Sequence, residues 1–225
     1  MSNNFSYQSD SYDRQSQRFV IPLYIKDELG NYQFSSTGTL VKYKGIHFIL
    51  FAAHALEGGV EFKNVYIFGQ DGGFHQIQSF AIGHQVFEDE DLVVVDCFNL
   101  AIEDKNYFNL DTECLEGFET NAFAWTGFPS SKSKSKKVHK SSSKETLMNK
   151  FVYIDEDDGY FKNARYFTIL SRIIINDSNK ITGEYDRKKL SLKYQGETSM
   201  GPHPQGMSGG AMYYFSKNQE LKSSI

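Results

Sequence analysis

The chain has 225 residues, of which 40% are hydrophobic, and a formal net charge of −4. It is therefore long enough to bury a core in one large domain or two small ones. The negative charge gives no general electrostatic basis for binding nucleic acid or an anionic membrane, and we expect neither partner. No apolar run is long enough to span a bilayer, and residues 1–16 lack the apolar core of a signal peptide.

The N-terminal part of the chain combines a polar start with a series of short strand patterns. Residues 1–17 are rich in Ser, Asn, Gln, Asp and Tyr, which predicts a disordered N-terminus. Residues 18–100 contain short runs of β-branched and aromatic residues, separated by turn signals such as Gly30-Asn31. The strands predicted in this part cover residues 19–25, 33–43, 46–54, 65–68, 74–82 and 91–98.

Residues 101–121 form a connector of mixed charge with no clear hydrophobic periodicity. Short strand patterns continue after it in the second half of the chain. Segment 130–144 alternates lysines with serines. This composition predicts a mobile, solvated loop or, as the alternative, a binding patch for an acidic partner. Because short strands dominate and no helix is convincing, the pattern predicts an all-β protein. Further strands are expected at residues 122–125, 151–154, 166–175, 181–185, 190–194 and 211–215.

Residues 206–210, Gly-Met-Ser-Gly-Gly, place a serine between glycines just before an apolar run. A Gly-rich segment of this kind is usually only a turn. Met207 stands where a phosphate-binding loop needs a lysine, which argues against a nucleotide site. The serine elbow of α/β-hydrolases requires an acid and then a histidine after the serine, but neither His nor Asp follows Ser208. Catalytic partners of Ser208 must therefore lie upstream.

Two upstream residues are the candidate partners of Ser208. His54 closes the apolar run 46–54, whose last small residues leave room around an imidazole ring. Asp91 directly precedes a β-branched run that predicts a core strand, and Asp96, at the far end of that run, is the alternative acid. Taken singly, His54 is more typical of a surface histidine and Asp91 of an acidic strand cap.

In the order His54, Asp91, Ser208, the three blocks together resemble the catalytic blocks of trypsin-like (chymotrypsin-fold) serine peptidases. Segment 36–41 is similar to that family's Gly-containing strand before the histidine, and segment 124–129 to the Gly-aromatic-Pro segment that opens its second barrel. The resemblance extends from about residue 19 to the end. It implies two six-stranded-type antiparallel β-barrels packed together, with residues 18–100 forming the first barrel and residues 122–225 the second.

The resemblance also implies a function, that of a serine endopeptidase acting through an acyl-enzyme. Ser208 would be the nucleophile, His54 the general base, and Asp91 the residue that orients the imidazole. The backbone N–H groups of Gly206 and Ser208 would form the oxyanion hole. The expected partner is a protein or peptide substrate.

The same resemblance places the floor of the substrate pocket near residues 201–205, which makes Pro202 and His203 the candidate substrate-binding residues. No metal or organic cofactor is expected. The acidic run 155–159 does not have the spacing of an EF-hand loop, because Gly159 comes one position early, and is interpreted as a solvated turn.

Three departures from the family pattern qualify these expectations. Met207 replaces the aspartate that pairs with a newly cut N-terminus in digestive relatives, so activation by that salt bridge cannot operate. Ala55 stands where secreted relatives carry a disulfide cysteine, and the only cysteines, Cys97 and Cys114, are expected to be buried free thiols of a cytoplasmic protein. Finally, the sequence ends about where a substrate-pairing strand would run.

The third departure supports an alternative function. The chain would then be a catalytically weak, peptidase-like binding or regulatory module, or a fragment of a larger protein with a trypsin-like domain. In either case, additional domains or a protein partner would complete the pocket beyond the C-terminus.

Overall fold

The computed structural model describes residues 16–69, 71–112, 122–131, 137–154, 161–163, 166–177, 180–187, 191–194 and 197–214. With 46% of residues in strands and 13% in helices, the protein is mostly β, and the predicted all-β class is confirmed. The described strands are β1 (Val20–Lys26), β2 (Tyr32–Tyr43), β3 (Ile46–Phe51), β4 (Val65–Phe68), β5 (Phe74–Gln76), β6 (Gly83–Phe87), β7 (Leu92–Asp96), β8 (Phe108–Asn109), β9 (Ala122–Gly127), β10 (Lys137–Val138), β11 (Val152–Ile154), β12 (Phe161–Asn163), β13 (Phe167–Asn176), β14 (Ile181–Glu184), β15 (Ser191–Tyr194), β16 (Glu197–Met200) and β17 (Ala211–Tyr214).

Within the described ranges, the first sheet has nine strands and curls into a half-barrel. Its main path runs β5-β4-β1-β2-β3-β7-β6 with antiparallel pairing throughout, while β8 and β10 pair separately with β2. Apolar residues of this sheet form a buried core. The fully buried members include Leu23, Leu40, Ile49, Phe51, Ile77, Val93 and Val95.

The second sheet has four described strands, all antiparallel, in the order β14-β13-β9-β17. Strands β11 and β12 pair with each other, as do β15 and β16. A hydroxyl network connects Ser16, which lies ahead of β1, to this sheet: Ser16 Oγ lies 3.1 Å from Thr168 Oγ1 and accepts a hydrogen bond from Thr126 Oγ1 at 3.1 Å. A second apolar cluster joins the two sheets, and its buried members are Val20, Tyr24, Phe34, Phe68, Phe128, Val138, Leu147 and Ala211.

Four features differ from the organisation expected from sequence. Gln17, placed in the disordered N-terminus, is fully buried in a 3-10 turn. The expected connector contains β8, which pairs in parallel with β2. Strand β10 lies inside the expected mobile Lys/Ser loop. Its two residues, Lys137 and Val138, pair with β2, and the side chain of Val138 is buried. The strand predicted at residues 74–82 divides into β5 and a 3-10 turn at Ile77–Ser79, and β6 starts after it.

A helix, α1 (Lys144–Phe151), follows the Lys/Ser segment although no helix was expected there. Its local signals are nevertheless present. Ser143 Oγ accepts a hydrogen bond from the Thr146 N–H at 3.2 Å, which is the contact of an N-cap serine, and Glu145 places negative charge in the first turn. Leu147 buries its side chain in the cluster between the sheets. Burial of Leu147 thus adds tertiary stabilisation to a short helix in which five of eight residues are polar.

Cys97 is a buried free thiol. Burial raises the pKa of Cys97 to about 12, and the nearby charge of Asp96 acts in the same direction. Cys114, the acidic run 155–159 and lysines 132–136 lie outside the described residues. Within the described ranges, no helix is both long and apolar enough to cross a membrane.

Candidate active site

His54 lies just beyond the end of β3, on a 3-10 turn that covers Ala53–Leu56. The apolar run therefore forms a strand only as far as Phe51, and the chain then turns tightly before the histidine. This turn brings the imidazole to the edge of the first sheet, where its side chain is 44% exposed.

Asp91 is the last residue of the turn that joins β6 to β7 and has a left-handed backbone with φ +50°. Its N–H donates to the Glu88 carbonyl at 3.1 Å, which closes the turn. Because β3 and β7 are antiparallel, the beginning of β7 lies beside the end of β3, with Phe51 opposite Val93. This register places Asp91 next to His54.

Asp91 contacts the histidine turn through three of its oxygen atoms. Asp91 Oδ2 lies 2.7 Å from His54 Nδ1, and Oδ1 accepts the His54 backbone N–H at 2.8 Å. The Asp91 carbonyl accepts the Ala53 N–H at 3.1 Å. The imidazole is therefore held at Nδ1, which leaves Nε2 as the ring nitrogen available for proton transfer.

The ionisation of Asp91 follows from these contacts. Partial burial raises the pKa of the Asp91 carboxyl, but the hydrogen bonds from the His54 backbone and ring outweigh burial and hold the pKa below its ordinary value. Asp91 is thus a carboxylate near neutral pH and can accept a proton-bearing Nδ1.

Ser208 lies in the second of two consecutive tight turns, which share Met207. In the first, the Met207 N–H donates to the Pro204 carbonyl at 2.9 Å with Gly206 at φ +91°, and in the second the Gly210 N–H donates to the Met207 carbonyl at 2.9 Å with Gly209 at φ +78°. Each glycine occupies the third position of its turn, where a type II turn requires positive φ. The glycines of the motif are therefore needed for the backbone path around Ser208.

The N–H groups of Gly206 and Ser208 are oriented by the carbonyls of their own peptide units. The Gln205 carbonyl accepts the Ser130 N–H at 2.7 Å, and the Met207 carbonyl accepts the Gly210 N–H. In a trans peptide the C=O and N–H point in opposite directions, so each pinned carbonyl fixes the direction of the following N–H. Among the residues that the structure describes, neither N–H donates a hydrogen bond.

His54, Asp91 and Ser208 line one open cavity of about 630 Å³. No hydrogen bond joins Ser208 Oγ to His54 within the described part of the chain. In unliganded sites such bonds are often long and tighten only when substrate binds. Much of the remaining lining is apolar and comprises Val41, Leu50, Phe108, Leu110 and Met212.

Three other candidate residues lie elsewhere. Asp96, at the opposite end of β7, faces Phe48, and its side chain accepts the N–H of Phe98 at 2.8 Å. Pro202 and His203 are not among the residues that line the cavity. The Pro202 carbonyl accepts the Tyr185 hydroxyl at 2.7 Å, and the exposed His203 receives the Gln205 N–H on Nδ1 at 3.3 Å.

Sequence reasoning missed the residues of β2 and β8 that surround the site. Thr37 and Thr39 of β2 donate hydroxyl hydrogen bonds to the Ser208 turns, at the carbonyls of Gly206 and Gly209. Phe108 of β8 lines the cavity and stacks on Phe19 with ring centroids 4.5 Å apart. The sequence shows that Thr37 and Thr39, two residues apart in a predicted strand, share one face of that strand. It does not show that they bind the turns around Ser208. Nothing in the aperiodic connector indicated Phe108.

The described residues contain no group of three His, Cys, Asp or Glu side chains arranged to hold a metal ion. No protein-family model matches the chain, and a search of curated proteins finds no match. Arguments about function therefore depend on the chemistry of the site itself.

Proposed function

We propose that this protein is a serine endopeptidase that cleaves peptide bonds through Ser208, His54 and Asp91. The observation that carries the proposal is the pairing of His54 with Asp91, at 2.7 Å between ring and carboxylate, in the cavity that Ser208 also lines. A histidine held in one tautomer by a carboxylate is the arrangement that activates a serine hydroxyl.

The mechanism follows from these positions. Ser208 Oγ attacks the substrate carbonyl carbon while His54 Nε2 accepts its proton, and Asp91 stabilises the resulting imidazolium. The imidazolium then donates that proton to the leaving amine, which leaves an acyl-enzyme. Water, deprotonated by the same ring, hydrolyses the ester and regenerates Ser208. The N–H groups of Gly206 and Ser208 stabilise the oxyanion in each tetrahedral intermediate.

The finer features of the protein belong to the same proposal. The curled first sheet and the second sheet would correspond to the two barrels of the trypsin-like fold, with the site between them. The buried free thiol of Cys97 suits a reducing compartment, so we place the protein in the cytoplasm. The apolar cavity lining suits the side chains of a peptide substrate.

Covalent labelling with a fluorophosphonate tests this function, because the reagent reacts with activated serines. We expect one adduct per folded molecule, mapped by mass spectrometry to Ser208. Ser208→Ala should abolish the adduct and any cleavage of a mixed peptide library while leaving the circular dichroism spectrum unchanged. An adduct that persists in Ser208→Ala, or a folded wild-type protein that does not react, would contradict the proposal.

The exposure of the His54–Asp91 pair favours a second candidate function, a peptidase-like binding module. The two side chains are 44% and 52% exposed, so water competes for their hydrogen bond. In that case peptides from the library would be retained by the immobilised protein without cleavage, and no fluorophosphonate adduct would form.

A further inference from the structure

Two threonines of β2 reach across to the turns around Ser208. Thr37 and Thr39 are two residues apart in a strand, so their side chains lie on the same face. Thr37 Oγ1 donates to the Gly206 carbonyl at 2.8 Å, and Thr39 Oγ1 donates to the Gly209 carbonyl at 2.7 Å. The two hydroxyls therefore hold the backbone on both sides of the nucleophile.

Thr37 makes two further hydrogen bonds in this region. Its N–H donates to the Ser208 carbonyl at 3.1 Å, and its hydroxyl accepts the Phe128 N–H at 3.0 Å. The residue is fully buried. Because the buried hydroxyl both donates and accepts, its orientation is fixed, and it links β2, the Ser208 turns and the segment after β9.

The peptide unit that Thr37 holds lies between the two units that would form the oxyanion hole. The Gly206 N–H belongs to the unit before it and the Ser208 N–H to the unit after it. Because peptide units are planar, holding the Gly206 carbonyl restricts how these two N–H groups can turn relative to each other. This restriction matters at Gly206, since glycine adopts many backbone conformations when nothing holds it.

We infer that Thr37, assisted by Thr39, is a positioning residue that keeps the Gly206 and Ser208 N–H groups directed at one point. The inference rests on the proposed function. Thr37 acts through the turn, so its loss should slow the chemical step much more than it weakens binding.

Thr37→Val tests the inference because valine keeps the shape of threonine without the hydroxyl. With the fluorophosphonate as probe, we expect the maximal inactivation rate per folded molecule to fall by roughly 10- to 100-fold, because small misplacements of catalytic groups slow reactions by factors of this size. The half-saturating probe concentration should change less than about threefold. Thr37→Ser, which restores the hydroxyl, should recover most of the rate, and a rate that stays low in this variant would overturn the inference.

Thr168→Val is the matched control. Thr168 also belongs to a hydroxyl network, 2.7 Å from Thr126 Oγ1, but lies on β13 away from the cavity. We expect it to lower stability without changing the inactivation rate of the folded protein. If Thr37→Val does not fold, Thr39→Val removes a single hydroxyl bond on the same face, and a wild-type rate in it would overturn the inference.

The outcomes separate this inference from the proposed function. If the wild-type protein labels at Ser208 and Thr37→Val labels at the same rate, the inference is wrong and the proposed function stands. If the wild-type protein does not label, the proposed function fails, and a crystal structure of Thr37→Val decides the inference. An unchanged direction of the Gly206 carbonyl would overturn it, and a rotated carbonyl would support it.

Discussion

Asp91 combines an unusual backbone with its contacts to the histidine. Its φ of +50° is a left-handed conformation that aspartate tolerates better than most residues. In this conformation its carbonyl reaches the Ala53 N–H while both carboxylate oxygens reach His54. The position therefore suits a short polar side chain, and asparagine can replace aspartate without a change of backbone.

Asp91→Asn should slow the chemical step by roughly four orders of magnitude while substrate affinity stays nearly constant. The reason is that the amide can present an N–H to Nδ1, which favours the wrong tautomer of His54. The measurement is turnover on a cleaved library peptide, or the maximal inactivation rate by fluorophosphonate.

Asp96→Asn is the control for that prediction. The Asp96 side chain accepts the Phe98 N–H at the other end of β7, an interaction that an asparagine oxygen can keep. The turnover or maximal inactivation rate of Asp96→Asn should stay within a few-fold of wild type. A severe defect in this variant together with a mild one in Asp91→Asn would show that the acid has been assigned to the wrong residue.

At the scale of the element, the second Ser208 turn is packed against the first sheet. A Cβ atom at Gly209 would collide with the Thr37 carbonyl oxygen and lie 3.0 Å from Phe51 Cα and 3.1 Å from Ala52 N. These neighbours are backbone atoms, which cannot move aside as a flexible side chain can. The close approach of the turn to β2 and β3 therefore requires glycine.

Gly209→Ala should abolish labelling of Ser208 and lower the free energy of unfolding by more than the cost of positive φ alone. Gly45→Ala is the matched control, because Gly45 has φ +81° and a Cβ there would meet nothing within 4 Å. We expect the control to lose about 1–2 kcal/mol and to label normally. Equal losses in the two variants, measured by urea denaturation, would mean that the collision at Gly209 is relieved.

Lys105 joins the loop before β8 to the first strand and the turn that precedes it. Its Nζ donates to the carbonyls of Val20 at 3.0 Å and Gln17 at 3.4 Å. Burial lowers the pKa of Lys105 to about 7, the nearby charge of Arg18 acts in the same direction, and Asp104 opposes both. A lysine in the unfolded chain has a pKa near 10.4.

This difference in pKa sets the sign of a pH effect. Below about pH 7 Lys105 is protonated in both the folded and the unfolded protein, and the folded protein bears the full cost of the buried charge. Between about pH 7 and 10.4 the unfolded protein binds more protons than the folded one. The free energy of unfolding therefore rises with pH in this range. Lys105→Met keeps an apolar stem without charge, so its stability relative to wild type should decline as pH rises from 7 to 10. Urea midpoints across this range test the prediction, and a constant difference would contradict it.

At the scale of the whole molecule, one apolar cluster joins the two sheets. Phe128, which follows β9, is 2% exposed and belongs to the same cluster as Phe34 of β2. Ser16 connects the sheets as well, since its carbonyl accepts the Tyr213 hydroxyl at 2.7 Å. Shared burial of this kind favours unfolding of both sheets in one transition.

Phe128→Ala should lower the free energy of unfolding by about 3–5 kcal/mol and shift the whole transition. Trp125, the single tryptophan, lies on β9 and reports on the second sheet, while far-UV circular dichroism reports on all strands. Both signals should move together. Phe98→Ala, at a residue 53% exposed, should cost about 1 kcal/mol or less. Separate transitions for the two signals would show that the sheets unfold independently.

Much of the strand framework could be predicted from local sequence patterns. The predictions at 33–43, 65–68 and 181–185 each coincide with an observed strand within one residue. Short strands such as β8 and β10 were not predicted, because two residues show no period and their pairing depends on distant partners. Helix α1 was not predicted because it is short and mostly polar, and its stability depends on a cap and on the tertiary burial of Leu147.

The sequence by itself determined the all-β class, the glycines that let the chain turn around Ser208, and the order of the His54, Asp91 and Ser208 motifs. These depend on local composition and spacing. Only the tertiary structure decided that Asp91 and not Asp96 contacts His54, because the antiparallel register of β3 and β7 brings just one end of β7 to the histidine. The tertiary structure also decided that Thr37 holds the Ser208 turns and that Pro202 and His203 lie outside the cavity. Both depend on how segments far apart in the chain pack together.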